Sequence, residues 1–402
     1  MRILYVSGIS PFPSNNGGRQ RTKLILEGLR EIADVDFVLH SGWPLDENTL
    51  GTLRAEFGLT DYYVTPDPVG TIFEAILDAK PALSYRWARE YASRQNYYSE
   101  ALEAASQINA RCDRNHYDFI VVRYLRCACR SGLLHRTPLI IDIDDVDSDF
   151  FNSAVEARQV GWLKSLMYSR QARQLSRLMP QWLNNTKRAW ISKAEDAAKI
   201  GAPHPWVLPN AVDTDRPAAE NPVANTSLEM LFVGALHWGP NQMGLRWFVD
   251  AVLPLIAREI PSAKLRIVGS ACPDEFSRWL ADHPNVAYVG EVPDVAPYYR
   301  ASAFSVVPVH SGAGSHIKVP ESLYQGITCV CTPYGHRGYE ATIPNGQGLL
   351  VGATAEDMAI HCIDLLRHPA KRLALAEFGL NVTKTKYTKA AFISGIRQSL
   401  LE

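Results

Sequence analysis

The chain has 402 residues, 47% of them hydrophobic and 21% charged, and its formal net charge is −1. This composition is that of a soluble globular protein, and the near-neutral balance excludes the global basic field on which nucleic-acid binding draws. The length exceeds what one hydrophobic core serves, so two domains are expected.

No uninterrupted apolar run approaches the roughly 18 residues of a membrane span. Met1-Arg2 before Ile3-Leu4-Tyr5-Val6 has the charge of a signal peptide without its length. The run breaks at Ser10-Pro11-Phe12-Pro13 and reads as a first β-strand. The seven cysteines include two C-x-C pairs, Cys127/Cys129 and Cys329/Cys331, with no second pair or histidines to complete a zinc set. Buried reduced thiols in a cytoplasmic protein are expected.

In chain order, residues 1–7 form a strand and a helix runs from about Gln20 to Ile32, with the loop Ser14-Asn15-Asn16-Gly17-Gly18-Arg19 between them. Val35–Leu39 is the second strand. Glycines at the first strand-to-helix turn mark the place where open α/β sheets bind ligands, although the dinucleotide pattern G-x-G-x-x-G is absent. Residues 70–115 read as helical, and their aromatics (Tyr85, Trp87, Tyr91, Tyr97 and Tyr98) suit packing between helices. Phe119–Val122 and Leu139–Ile141 are two buried strands of a parallel sheet.

The second of these strands runs into Asp142-Ile143-Asp144-Asp145-Val146-Asp147-Ser148, four acids at a strand's carboxyl end. Carboxylates this close repel, so they must be protonated, paired or held by cations. A Mg²⁺ or Mn²⁺ site of several oxygens is one reading. A general base, or an acceptor for a sugar hydroxyl, is the sharper one. Asp147 or Ser148 reads as a helix N-cap.

Between Glu156 and Glu195 the chain has no acid. It carries Arg158, Lys164, Arg170, Arg173, Arg177, Lys187, Arg188 and Lys193, with Trp162, Leu163, Leu166, Met167, Leu175 and Leu178 interleaved. Arg170, Arg173 and Arg177 recur at helical spacing, so this stretch is either a solvated face or a surface for anionic lipid or an anionic acceptor. Trp206–Asp213, followed by a Pro/Ala/Asn-rich stretch to Asn225, reads as a strand plus linker.

The α/β alternation then restarts. Strands are expected at Leu231–Gly234, Leu265–Gly269, Val286–Val289, Phe304–Val307, Cys329–Thr332 and Leu349–Val351, and a helix from Asn241 to Arg258. The Phe304–Val307 strand feeds Pro308-Val309-His310-Ser311-Gly312-Ala313-Gly314-Ser315-His316-Ile317-Lys318-Val319-Pro320-Glu321 and a short helix closed by Gly326. A strand, a glycine-rich loop and a helix start make an anion site, because glycines admit the ligand to the backbone and free N–H groups point at it. Lys318 adds a point charge for phosphate, and Glu321 accepts from sugar or ribose hydroxyls.

These motifs resemble the family 4 glycosyltransferases. The resemblance spans nearly the whole chain and is strongest over residues 206–352. The residues that carry it are Phe232-Val233-Gly234, Trp238-Gly239-Pro240-Asn241, Ile267-Val268-Gly269, Val289-Gly290-Glu291-Val292-Pro293-Asp294, the segment Gly312–Glu321, Pro209–Asp213 and Gly17-Gly18. It implies the GT-B fold, two Rossmann-like doubly wound α/β domains facing across a cleft. The acceptor domain would be 1–205, the nucleotide-sugar domain 206–385, and residues 386–402 a helix crossing back.

The resemblance further implies transfer of a sugar from a UDP- or GDP-sugar to a glycan or lipid-linked acceptor in cell-surface polysaccharide synthesis, with retention and without an essential metal. Glu321 would bind the donor ribose and Val292 would sit in the turn that receives the base. Gly314, Ser315, His316 and Lys318, with Gly17 and Gly18, would hold the diphosphate. Gly234, His237 and Asn241 would complete the donor side, and Asp144 or Asp145 would orient or deprotonate the acceptor hydroxyl.

Three departures stand out: Ala313 replaces the first glutamate of E-x7-E, His237 and Asn241 stand where many members have Arg and Lys, and Asp144 replaces the histidine of D-x-H-N. The alternatives are a GT-B epimerase or hydrolase, or a non-catalytic sugar-nucleotide-binding protein. A cytoplasmic location is expected, with 158–193 as a peripheral contact to anionic membrane.

Overall fold

The short apolar runs of the first half become strands of one parallel sheet: β1 (Arg2–Ser7), β2 (Asp34–Ser41), β3 (Leu59–Val64), β4 (Phe119–Arg123), β5 (Leu139–Ile143), β6 (Arg188–Ile191) and β7 (Pro205–Val207). The helices between them are α1 (Gly17–Arg30), α2 (Glu47–Ala55), α3 (Leu102–Arg114), α4 (Leu125–Arg130), α5 (Asp147–Glu156), α6 (Trp162–Leu183) and α7 (Asp196–Ile200). The computed structural model describes residues 1–14, 16–65, 98, 100–156, 161–212, 218–222, 225–312 and 314–402. Of the residues singled out from sequence, Asn15, Tyr85, Trp87, Tyr91, Tyr97, Arg158, Asp213 and Ala313 lie outside these.

A second parallel sheet holds β8 (Glu229–Val233), β9 (Lys264–Val268), β10 (Val286–Gly290), β11 (Phe304–Val307), β12 (Cys329–Cys331) and β13 (Leu349–Val351). With it come α8 (Gly239–Trp247), a π turn (Phe248–Val252), α9 (Leu253–Glu259), α10 (Asp274–Ala281), α11 (Ala296–Ala301), α12 (Lys318–Tyr324), α13 (Pro333–His336), α14 (Ala355–Arg367), α15 (Pro369–Lys386) and α16 (Lys389–Leu401). The chain divides into two units: Met1–Pro209 with Phe392–Glu402, and Asn210–Ala391.

Strand order is β3-β2-β1-β4-β5-β6-β7 in the first sheet and β10-β9-β8-β11-β12-β13 in the second. Both orders step outward from a central strand and then reverse, so each sheet has a topological switch point, at β1/β4 and at β8/β11. Crossover helices diverge there and leave a crevice at the carboxyl ends of the strands, where such sheets bind ligands. The central strands are buried on both faces, as β5 (all of Leu139–Ile143) and β11 (all of Phe304–Val307) show.

Two strands escape a sequence reading. β3 is an edge strand with a weak alternation, and β6 lies inside the stretch read as basic, where Trp190 is fully buried. The helix expected over Asn241–Arg258 starts at Gly239, with Pro240 in its first turn, and is interrupted by the π turn before Pro254. Proline has no N–H to return to the preceding turn, and a π turn absorbs the missing bond. The first helix begins at Gly17 rather than near Gln20, capped by the Asn16 side chain, which accepts from Arg19 N at 3.0 Å. Asp147 is the first residue of α5, so it lies in the first turn rather than before it.

Candidate active site

At the switch point of the first sheet, the four acids have different fates. Asp142, the last but one residue of β5, is fully buried and receives Arg21 from α1 (Nη2 to Oδ1, 2.6 Å) and Arg123 from the end of β4. Arg123 also donates to Asp144 Oδ2 at 3.1 Å, to the Gly18 carbonyl at 3.1 Å and to the Tyr124 hydroxyl at 3.1 Å. Arg21 lies 3.9 Å from Asp144 and donates to the Leu208 carbonyl at 2.9 Å. The repulsion expected among the acids is thus cancelled by two buried guanidinium groups. Arginine suits this because its fork stays charged and satisfies several acceptors at once.

Asp145 is different. Among the described residues no hydrogen bond or ion pair ties its carboxyl group. Burial, with Asp144 beside it, pushes its pKa up to about 7, against the opposing pull of Lys193 and Arg123. Burial likewise raises Asp147 to about 6, although a hydrogen bond with Tyr98 pulls the other way. Tyr124 follows Arg123 with φ of +68°, a conformation that costs a non-glycine residue of order 1–3 kcal/mol. Its ring lies 4.4 Å under the Arg123 guanidinium, beside Gly18.

At the switch point of the second sheet, Gly234 follows β8 and Lys318 opens α12. A Cβ on Gly234 would lie 2.8 Å from Lys318 Cε, 3.1 Å from its Nζ and 3.0 Å from Asn241 Nδ2, so only glycine lets both side chains cover the strand end. The Lys318 ammonium sits 5.6 Å from the Phe232 ring and 5.9 Å from the Trp238 ring. It has no ion pair among the described residues. Burial lowers its pKa to about 8, with Glu321 three residues on opposing that shift.

Asn241 is 2% exposed; its Nδ2 donates to the Ala235 carbonyl at 2.7 Å, which leaves Oδ1 without a donor among the described residues. His316 is buried between the Trp238 and Tyr334 rings, with centroids at 6.3 and 5.9 Å. Gly312 takes φ of +122°, and a Cβ there would meet Trp238 at 3.0 Å. Burial and the Glu321 carboxylate raise the Tyr299 phenol well above its ordinary value, which places Glu321 beside Tyr299. Val292 packs on the small cluster that contains Tyr299.

The structure therefore brings Gly234, Asn241, His316 and Lys318 together, with Glu321 and Val292 toward Tyr299. His237 is exposed, and Gly314 and Ser315 are half-buried, with Ser315 Oγ accepting from Asn210 at 2.9 Å. Gly17 and Gly18 belong to the first unit, at the start of α1, where the Gly18 carbonyl accepts from Arg123. Lys193 and Arg188, two cations of the same basic stretch, are taken up within the fold. Lys193 is 1% exposed and pairs with Asp196 at 3.2 Å, and Arg188 lies over the Trp206 ring.

Sequence reasoning missed Arg21, Arg123 and Tyr124. The one available signal was a charge ending the apolar run Phe119-Ile120-Val121-Val122, facing the acids that end the next strand.

Residues 227–368 match the model of the family described as Glycosyl transferases group 1. A Klebsiella pneumoniae protein described as an uncharacterized 44.6 kDa protein in cps region is 21% identical over 98% of this chain and 98% of its own. Among solved structures, sucrose-phosphate synthase from Thermosynechococcus elongatus superposes with a TM-score of 0.69 at 14% identity, covering 99% of this chain and 98% of that one. Anabaena HepE in complex with UDP and glucose gives 0.64 at 12% identity over 100% and 99%. A TarM mutant of S. aureus in complex with fondaparinux, alpha-GlcNAc-glycerol and UDP gives 0.64 at 10% over 100% and 100%. The chain thus has the GT-B fold of these glycosyltransferases, and over residues 227–368 it is similar to the glycosyl transferases group 1 family.

Proposed function

We propose that the chain transfers a sugar from a nucleoside-diphosphate sugar, UDP-linked in the first instance, to a hydroxyl of a glycan or lipid-linked acceptor. The observation that carries this is the Lys318 ammonium: desolvated, unpaired among the described residues, and held over Gly234 at the switch point of the second sheet. A buried cation without an anion is costly, and a diphosphate supplies that anion. As the sugar leaves, charge gathers on the departing phosphate, and a pre-placed ammonium with the amides opening α12 stabilises it; such electrostatics is commonly the largest catalytic contribution. Asn241 Oδ1 accepts from a donor hydroxyl, Glu321 from the ribose, and the Val292 turn takes the base. HepE and TarM were each crystallised with UDP, which favours uridine over guanosine.

On the acceptor side, Asp145 is the proton acceptor and Asp144, aimed by Arg123, orients the hydroxyl. Arginines already neutralise Asp142 and Asp144, so turnover is expected to persist in a chelator without added metal. Retention, read as the anomer of the product by NMR, and the narrower family 4 assignment both rest on the order of the motifs. A relative named for a cps region fits synthesis of a cell-surface polysaccharide. Seven free thiols suit a reducing cytoplasm.

Calorimetry with UDP and GDP tests the donor side. Wild type should bind UDP, while Lys318→Ala, Glu321→Ala and Gly234→Ala should each bind at least tenfold more weakly. Failure of both nucleotides to bind, or wild-type binding by Lys318→Ala, refutes the reading. The Ala313 replacement favours one rival, a non-catalytic binder, which predicts nucleotide binding but no donor turnover with any acceptor. An epimerase or hydrolase would consume donor without acceptor.

A further inference from the structure

Helix α6 spans Trp162–Leu183 and buries one side, with Ala172, Leu175, Met179 and Leu183 in the core of the first unit and Met167 buried as well. The opposite side carries Trp162 (76% exposed), Leu166 (46% exposed) and the exposed Arg170, Arg173 and Arg177. At about 100° per residue these five fall within an arc of roughly 80°, a single stripe. None of the three arginines has an ion pair among the described residues, and the helix contains no acid. Its apolar pair lies at one end and its cations follow. A large aromatic three-quarters in water beside a cationic row is a poor solution for a surface that meets only water.

The placement of the helix adds to this. Its 22 residues rise about 33 Å, whereas the five residues of β5 span about 17 Å. Tyr168 in the first half of α6 meets Phe151 of α5 edge-on at 5.1 Å, so the Trp162 end of α6 lies alongside the helix that opens at the carboxyl edge bearing Asp142, Asp144 and Asp145.

We infer that the outer stripe of α6 docks the protein on an anionic lipid bilayer, with Trp162 and Leu166 seated among the headgroups and Arg170, Arg173 and Arg177 on lipid phosphates. An anionic bilayer fits better than a dissolved polyanion. A polysaccharide offers charge for the arginines but nothing to cover Trp162 and Leu166, whereas a membrane interface offers both. Docked so, the acid-bearing edge lies toward the bilayer, where a lipid-linked acceptor presents its hydroxyl.

The test is co-sedimentation of the full chain with phosphatidylcholine vesicles, with and without phosphatidylglycerol, at low and high salt and without nucleotide, so its outcome is independent of the donor assignment. The expected result is retention on the anionic vesicles alone, lost at high salt because the arginine contacts are screened. With about fivefold per cation, the triple variant Arg170→Glu, Arg173→Glu, Arg177→Glu should lower the partition coefficient at least 100-fold. Its circular dichroism should match wild type. Trp162→Ala with Leu166→Ala keeps every charge and should reduce retention several-fold. Equal retention on neutral vesicles, wild-type retention by either variant set, or capture by soluble dextran sulfate but not by vesicles would each overturn the proposal.

Discussion

The two sheets reverse strand order in the same way and gather polar side chains at the same edge, yet they treat charge in opposite ways. In the first unit the guanidinium groups of Arg21 and Arg123 pair with the carboxylates of Asp142 and Asp144. In the second unit the Lys318 ammonium and the Asn241 oxygen are left without partners among the described residues. The shared reversal of strand order therefore sets where chemistry sits and not what it costs. A charge-paired network stiffens the ground on which Asp145 stands, a carboxyl with no hydrogen bond or ion pair among the described residues. An unsaturated pocket keeps its electrostatic deficit until a ligand arrives.

The sharpest way to break this comparison is to remove one cation from each edge. Arg123→Met removes one of the two guanidinium groups that neutralise the buried Asp142 and Asp144, and should cost about 3–5 kcal/mol of stability, read from the denaturant midpoint of the first unit. Lys318→Ala removes a cation with no ion-pair partner among the described residues to strand, so its stability should hold while donor turnover falls on the order of 100- to 1000-fold. If Lys318→Ala unfolds as readily as Arg123→Met, the two edges do not differ as described.

Titration sharpens the contrast further. Asp145 folded takes its proton at about 7, above its ordinary 3.8, so the folded state binds more protons than the unfolded chain between these values. Stability should fall as pH rises through that window, and Asp145→Asn should flatten the fall. Lys318 folded loses its proton at about 8, below its ordinary 10.5, so the unfolded chain binds more protons and stability should rise with pH from about 8 to 10.5. Lys318→Met should abolish that rise. The same value implies that UDP affinity weakens above about pH 8, as the neutral amine stops pairing with phosphate, an effect calorimetry across pH reads directly.

The smallest effect is a control away from both edges. Thr354→Ala removes the reciprocal cap of α14, in which Thr354 Oγ1 accepts from Asp357 N at 3.1 Å and Asp357 accepts from Thr354 N at 3.1 Å. It should cost about 1 kcal/mol with turnover unchanged.

Much of this protein is written in local pattern. Apolar runs of four or five residues, each followed by glycine or acid and then an amphipathic stretch, determine parallel strands and crossover helices wherever they occur, so the two doubly wound units and the Gly312–Glu321 turn are legible without coordinates. The loci of Lys318 and of the Asp142–Asp147 cluster are legible for the same reason, because a strand's carboxyl end is a position in sequence. Only tertiary structure decides which of the four neighbouring acids lacks a partner among the described residues. Arg21 reaches Asp142 across 121 residues and Arg123 does so from the adjoining strand. No periodicity records a pairing between elements that meet only when the sheet closes. The basic stretch is the mirror case: spacing marks Arg170, Arg173 and Arg177 as one strip, but only the folded structure shows that Lys193 and Arg188 of the same stretch take partners in the fold, while Trp162 stays outside.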